Sequence, residues 1–304
     1  MNKADQPIKT IDSVSELHRL LCLPPPKNPQ ITLIDHTGEK SGHENKIQRL
    51  VLNFYHICIK RSFHGQMRYG RNYYDFDKGT MVFSAPNQVI TVDQGDEADD
   101  DGWSLLFHPD LIRNYTLGKS IKNYGFFSYD ANEALHLSDE EEKLIESLVR
   151  NIEKEYESRI DNFSADVIVS NLELLLNYCN RFYNRQFVTR KMSNNDLLSK
   201  FDNNLSKYFE NLAGTSLPTV NSLAEELNVS ASYLSDMLRT VTGRNTQQHI
   251  HDKLIEKAKE ILATTDLSVS EIAFSLGFEH RQSFNKLFKN KTKFSPLTFR
   301  KSFK

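Results

Sequence analysis

Along the last third of the chain, apolar and polar positions follow one pattern written twice, about 50 residues apart. The first copy is Leu223-Ala224-x-x-Leu227-Asn228-Val229, followed by Leu234-x-x-x-Leu238-Arg239-x-x-Thr242-Gly243. The second is Ile272-Ala273-x-x-Leu276-Gly277-Phe278, followed by Phe284-x-x-x-Phe288-Lys289-x-x-Thr292-Lys293. Each copy predicts a short amphipathic helix, a tight turn and a second helix with a polar outer face. Between them, Gln247 to about Thr264 predicts a connecting helix with Ile250, Leu254, Ala258, Ile261 and Leu262 along one side. Its ~18 residues would span ~27 Å. Ahead of both copies, Asn195 or Asp196 is placed to cap a supporting helix bearing Leu197, Leu198, Phe201, Leu205, Tyr208 and Leu212.

The first half has another rhythm. Nine of the 12 glycines lie between Gly38 and Gly125, spaced among short apolar runs, which predicts hairpin-rich β structure. The runs are Gln30–Ile34, Ile47–Lys60, Met67–Phe76, Thr80–Phe83, Val89–Val92 and Trp103–Phe107. In the second run, Leu50, Leu52, Phe54, His56 and Cys58 share one face of an extended strand. The acidic stretch 96–101 reads as a solvated loop. From Ser138 the period becomes helical. Ser138-x-x-Glu141 has the form of a capping box ahead of Leu144, Ile145, Leu148, Val149 and Ile152. A second stripe runs Val167, Ile168, Leu172, Leu175, Leu176, Cys179, Phe182 and Tyr183. These two helices need a partner surface: the β region, each other or a second subunit.

Length and composition change this picture only in places. At 304 residues, 38% apolar and 26% charged, the chain is long enough for two folded domains. Its net charge of −2 alone argues against a nucleic-acid partner, but the charge is unevenly distributed. From Lys191 onward there are 16 basic and 12 acidic residues; the remainder has 22 and 28. From Arg281 onward there are eight basic residues and no acidic one, so the positive potential sits on the second copy of the repeat. Cys22, Cys58 and Cys179 fit neither a disulfide framework nor a zinc site. A polar first ten residues and the lack of any run near ~20 apolar residues point to a cytoplasmic protein with no membrane partner.

The outward positions of the repeat carry the candidate chemistry. On the first copy these are Ala231, Ser232, Ser235, Asp236 and Arg239, behind a turn at Asn228 and a capping serine, Ser230. On the second they are His280, Arg281, Gln282, Asn285, Lys286 and Lys289. Arginine and lysine donate to guanine, and glutamine and asparagine pair bidentately with adenine. Lys289, Lys291 and Lys293 are better placed for phosphates. Two such units on a stiff connector suit double-stranded DNA, with reading heads about one duplex turn (~34 Å) apart.

Residues from about Asp196 to Arg300 resemble the DNA-binding domain of the AraC/XylS transcription regulators. The resemblance is carried by Ile272-Ala273, Gly277-Phe278, Ser283-Phe284, Phe288-Lys289, Ser295-Pro296 and Arg300. It implies base contacts at Ser232, Ser235, Arg281, Gln282 and Lys286. Two positions depart from the family pattern. Lys293 stands where glycine is usual, so a lysine must accept a left-handed cap or the helix ends differently. Asp236 stands where many members carry a DNA-contacting arginine, and a carboxylate repels phosphate.

Residues ~30–130 resemble, more loosely, the cupin-like effector-binding barrel of the same regulators, through Tyr74-x-x-x-x-Gly79-x-x-x-Phe83-x-x-Pro86-x-Gln88. The expected organisation is an N-terminal extension (1–29), a cupin-like β-barrel with two following helices for effector binding and dimerisation (30–186), a linker (187–195), and an all-α tandem helix-turn-helix domain (196–304). Expected partners are DNA, a small-molecule effector, RNA polymerase and a second copy of the chain. No cofactor is expected, and no metal: His43, His56, His64 and His108 are scattered rather than clustered. Trp103 reads as core. Two rival readings are a metal-independent cupin enzyme with a DNA-binding appendage and a non-specific DNA-packaging protein.

Overall fold

In the computed structural model the described residues are 8–36, 48–62, 65–69, 72–74, 79–94, 101–189, 191–210 and 217–303. The chain divides into two units, 1–186 and 187–304. The first unit runs β1 (Ile8–Ile11), α1 (Val14–Leu20), β2 (Ile31–Asp35), β3 (Gln48–Leu52), β4 (Tyr55–Ser62), β5 (Gly65–Tyr69), β6 (Asn72–Tyr74), β7 (Thr80–Ser84), β8 (Val89–Gln94) and β9 (Asp101–Phe107). After these come α2 (Pro109–Ile112), α3 (Thr116–Ser120), β10 (Leu135–His136), α4 (Asp139–Glu157) and α5 (Ser164–Thr189). The second unit contains α6 (Lys191–Glu210), α7 (Val220–Glu226), α8 (Ala231–Thr242), α9 (Thr246–Thr264), α10 (Val269–Ser275), α11 (Arg281–Thr292) and α12 (Pro296–Lys301).

The strands form two five-stranded sheets, ordered β1-β3-β8-β5-β6 and β10-β7-β4-β9-β2. Among the described residues no ladder joins them, so they form two sheets and the expected closed cupin-like barrel is not seen there. The run expected as one strand over 47–60 breaks at Asn53 and Phe54 into β3 and β4, which belong to different sheets. Changing sheets at a corner lets one alternating sequence line two facing layers. Leu52, Phe54 and Cys58 still bury together, with Ile34, Val82, Ile90 and Leu106. Gly79 takes a positive φ of 68° ahead of β7. Gln88 closes the turn before β8, accepting from Ala85 N and donating to Phe127 O, each at 3.0 Å.

Residues 8–29, within the expected extension, pack into the first unit. β1 pairs parallel with β3, and Ile11, Val14 and Leu17 sit inside the same apolar cluster. Ser13 caps α1 by accepting from Glu16 N at 3.2 Å. Of the acidic stretch 96–101, only Asp101 is described, and it opens β9.

Both long helices of this unit find their partner surface within the chain. The Ser138–Glu141 capping box forms, and Ile145, Leu148, Val149 and Ile152 are buried. Arg61 on β4 reaches α4 through Glu142, at 2.6 Å, and through Glu146. On α5, Gln186 is 1% exposed, and its side chain lies beside β10. Its Oε1 accepts from His136 N at 2.9 Å, and its Nε2 donates to Ala134 O at 3.0 Å. One amide side chain thus satisfies two strand-edge groups.

The stretch expected as a linker is helical where described. Phe187 to Thr189 end α5, and α6 begins at Lys191, before the expected caps at Asn195 or Asp196. The division nonetheless falls at residue 187. Phe187 is buried in the second unit, edge-on to Tyr233 with ring centroids 5.1 Å apart.

Candidate nucleic-acid interface

Local chemistry explains how each half of the repeat folds. Thr219 and Ser222 cap α7 reciprocally, each side chain accepting from the other's N–H at 3.0 Å. Leu223 and Ala224 are buried. The turn passes through Asn228 at φ 55°, with Val229 N donating to Ala224 O at 3.1 Å. Asparagine tolerates this left-handed conformation better than most residues. Ser230 then caps α8 by accepting from Tyr233 N at 3.1 Å. Tyr233, Leu234, Met237 and Leu238 hold α8 to the body, and Gly243 ends it at φ 76°.

The second copy repeats the construction. Ser268 and Glu271 box the start of α10, and Ile272 and Ala273 are buried. Gly277 turns at φ 87°, and Phe278 N donates to Ala273 O at 3.0 Å. Phe284 and Phe288 are fully buried in a chain of ring contacts from Phe278 through Phe299 to Phe303. Among α7 to α12, only α11 opens without a side-chain cap, because His280 does not bond its first turn. Lys293 does accept the left-handed position, at φ 68°, and its N–H reaches Lys289 O at 2.8 Å.

The two polar faces differ in character. On α11, Arg281, Gln282, Lys286 and Lys289 are exposed along one side, beside the exposed His280. On α8, Ser232 is half-buried, and Asp236 forms an ion pair with Arg239 at 3.3 Å. The first face is therefore locally near neutral and the second strongly positive. Ser235 turns inward: its hydroxyl lies 3.0 Å from that of Thr246, which is fully buried at the start of α9. Fifty residues on, the equivalent pair is Asn285 and Pro296. Proline offers no hydroxyl, and Asn285 Oδ1 is buried without a partner.

Three side-chain partnerships could not be read from the sequence pattern. Arg300 donates to Leu262 O at 3.3 Å and Leu267 O at 2.5 Å, tying α12 to the end of α9 and the turn beyond it. His249 meets the Thr242 hydroxyl at 2.8 Å and stands edge-on to Phe201. Lys291, expected at phosphate, is 2.7 Å from Asp252 on α9. Arginine donating to helix-end carbonyls is a known stabilising arrangement. It leaves only the spacing of an arginine as its sequence trace.

In the first unit the scattered histidines also resolve. His56 is buried with Nε2 3.0 Å from Ser104 Oγ, and His36 Nε2 lies 2.8 Å from the same oxygen. Burial, then the positive charge of Lys60, lower His56 to about 4 and His36 to about 3. His108 Nδ1 accepts from Asp110 N at 3.2 Å and caps α2. His43 and His64 lie outside the described residues. Trp103 is 8% exposed, its Nε1 has no hydrogen-bond partner, and it borders a cavity of about 200 Å³ between β2, β9 and α4. Among the described residues, no three His, Cys, Asp or Glu side chains are grouped to hold a metal ion. No helix among them is long and apolar enough to cross a membrane.

Two helix-turn-helix units sharing one connecting helix define the class of the second unit, a tandem helix-turn-helix domain. Comparison with known proteins agrees: residues 223–302 match the family described as "Helix-turn-helix domain". The chain is 34% identical over 107 residues to the Msm operon regulatory protein of Streptococcus mutans, covering 35% of this chain and 38% of that protein. It is 34% identical over 84 residues to the raffinose operon transcriptional regulatory protein of Pediococcus pentosaceus, covering 28% and 30%. Among solved structures it is similar to the C-terminal domain of the two-component response regulator yesN from Fusobacterium nucleatum. That match has 32% identity and a TM-score of 0.30, over 33% of this chain and 93% of that one. Residues 223–302 of the second unit are thus similar to the helix-turn-helix domains of known operon regulators. The chain spans well under half the length of these curated regulators.

Proposed function

We propose that the protein is a sequence-specific transcription regulator that reads two successive major grooves of double-stranded DNA with α8 and α11. The observation that carries this reading is the twice-built recognition unit on a single 19-residue connector, α9, which spans about 28 Å. The second head supplies most of the attraction, through Arg281, Gln282, Lys286 and Lys289, with His280 at its edge. The first head discriminates more than it attracts, through Ser232, Asp236 and Arg239. Ser235 supports α8 from the inner side through Thr246, and Asn285 turns its Oδ1 inward on α11, so each contacts bases only if it turns outward.

In this reading the first unit senses a small-molecule effector and biases the DNA-binding unit through differential affinity between two states. The polar group of His36, His56, Lys60 and Ser104 supports a pocket on the inter-sheet side, since it shares strand faces with the buried Ile34, Cys58 and Leu106. Exposed Phe163, Val167 and Leu174 on and before α5 support self-association. The protein would act in the cytoplasm, meet RNA polymerase at promoters, and regulate rather than catalyse. Selection of duplexes from a randomised pool by the full chain, followed by footprinting, tests the reading. One protected face over two successive grooves is expected. Equal affinity for selected and random duplexes would replace the reading with non-specific packaging.

A further inference from the structure

Asp252 lies in the second turn of the connector α9, and its two carboxylate oxygens bond in different directions. Oδ2 accepts from Arg244 Nη1 at 2.7 Å, and Oδ1 accepts from Lys291 Nζ at 2.7 Å. Arg244 immediately follows Gly243, the residue that ends α8. Lys291 lies in the last turn of α11. One carboxylate therefore grips the C-terminal ends of both reading helices, across 39 residues of chain on the α11 side. One turn away on α9, His249 holds the Thr242 hydroxyl of α8 and abuts Phe201 of α6.

We propose that Asp252 is the positioning residue that sets the separation and tilt of the two reading helices, with Lys291 serving this joint rather than the DNA backbone. The heads are joined through α9, so small rotations of either helix end would change the groove-to-groove distance. A carboxylate shared by two cations opposes such rotations at both ends at once, because charge-assisted hydrogen bonds are short and directional. The site favours the ionised carboxyl. Partial burial works against ionisation, but the Lys291 hydrogen bond and the charges of Lys291 and Arg244 outweigh it and hold Asp252 below the usual carboxylate range. The protein then pays for a misplaced groove in binding energy, so operator spacing is read as well as base identity.

The proposal rests on the two-groove reading above. Its test uses the full chain and a duplex selected by the wild-type protein from a randomised pool, with single base pairs inserted or deleted between the two contacted grooves. Wild type should lose affinity sharply on each change. Asp252→Asn should shrink that spacing penalty by roughly fivefold. It should also steepen the salt dependence by about one phosphate unit as Lys291 is released. Lys291→Met should relax spacing equally while leaving the salt slope unchanged, and it decides the matter alone if Asp252→Asn does not fold. Wild-type spacing strictness in both variants would overturn the proposal. So would a salt slope reduced by about one unit in Lys291→Met, since that would return Lys291 to phosphate. A wild-type protein that selects no two-groove duplex would instead end the underlying reading.

Discussion

Replacing Lys293 by glycine should stabilise the DNA-binding unit. Lys293 holds φ 68° where its counterpart Gly243, fifty residues earlier, holds φ 76°. A residue with a β-carbon costs roughly 1–2 kcal/mol in this region. Glycine removes that cost but loses about 0.5–1 kcal/mol more backbone entropy on folding. The lysine charge near the C-terminus of α11 contributes a further few tenths, about 0.3 kcal/mol, through the helix dipole. The balance leaves a net gain of roughly 0.5 kcal/mol. The mirror substitution, Gly243→Lys, should destabilise by a similar or larger amount. A β-carbon there would meet no heavy atom within 4 Å, so its penalty is purely conformational. Urea melts of both variants, monitored by the helical circular dichroism signal, give the two signs directly. Loss of stability in Lys293→Gly together with neutrality in Gly243→Lys would refute the left-handed-cap reasoning.

Other outcomes follow from the same geometry. Arg281→Ala should weaken binding by about 1–3 kcal/mol and relax preference at one base pair, whereas Lys289→Ala should weaken all duplexes evenly and flatten the salt dependence by about one unit. Binding titrations over a set of point-substituted duplexes and salt concentrations separate the two; exchanged behaviours would reverse the assignments. Asp236→Arg removes a carboxylate from the reading face and frees Arg239, so affinity should rise roughly tenfold with altered base preference. Weaker binding to every duplex would contradict the placement of α8. His36 and His56 stay neutral in the fold, at about 3 and about 4 against the ordinary 6.5. Below pH 6.5 the unfolded chain binds protons that the folded unit refuses. Stability should therefore be full above that value and fall as pH drops toward about 4, by up to about 1.4 kcal/mol per pH unit for each histidine. Denaturant melts between neutral and mildly acidic pH should show this slope, and His56→Gln should reduce it.

Much of the second unit was legible because its determinants are local. Caps such as Ser230 and Ser268 act on N–H groups three residues away, and the turns need a left-handed residue at Asn228 and Gly277. The apolar faces of α8 and α11 could be read from helical spacing alone. Site residues were harder to place, since an outward position on a helix wheel does not reveal a neighbour from elsewhere. Ser235 turned out to be held by Thr246, and Lys291 by Asp252.

The amino-acid sequence by itself marked most of the strand runs and the long helices, where the recognition helices begin and stop, and that positive charge gathers on the second head, but not β1, α1 or the helical stretch expected as a linker. Only tertiary structure decided that β3 and β4 part company into separate sheets, and that Ile11, Val14 and Leu17 complete the core between them. It also decided that Asp252 joins the ends of two reading helices. The physical reason is range. Capping, turn strain and amphipathic spacing are settled within about four residues, whereas strand pairing and a shared carboxylate depend on groups that the chain brings together only when it folds.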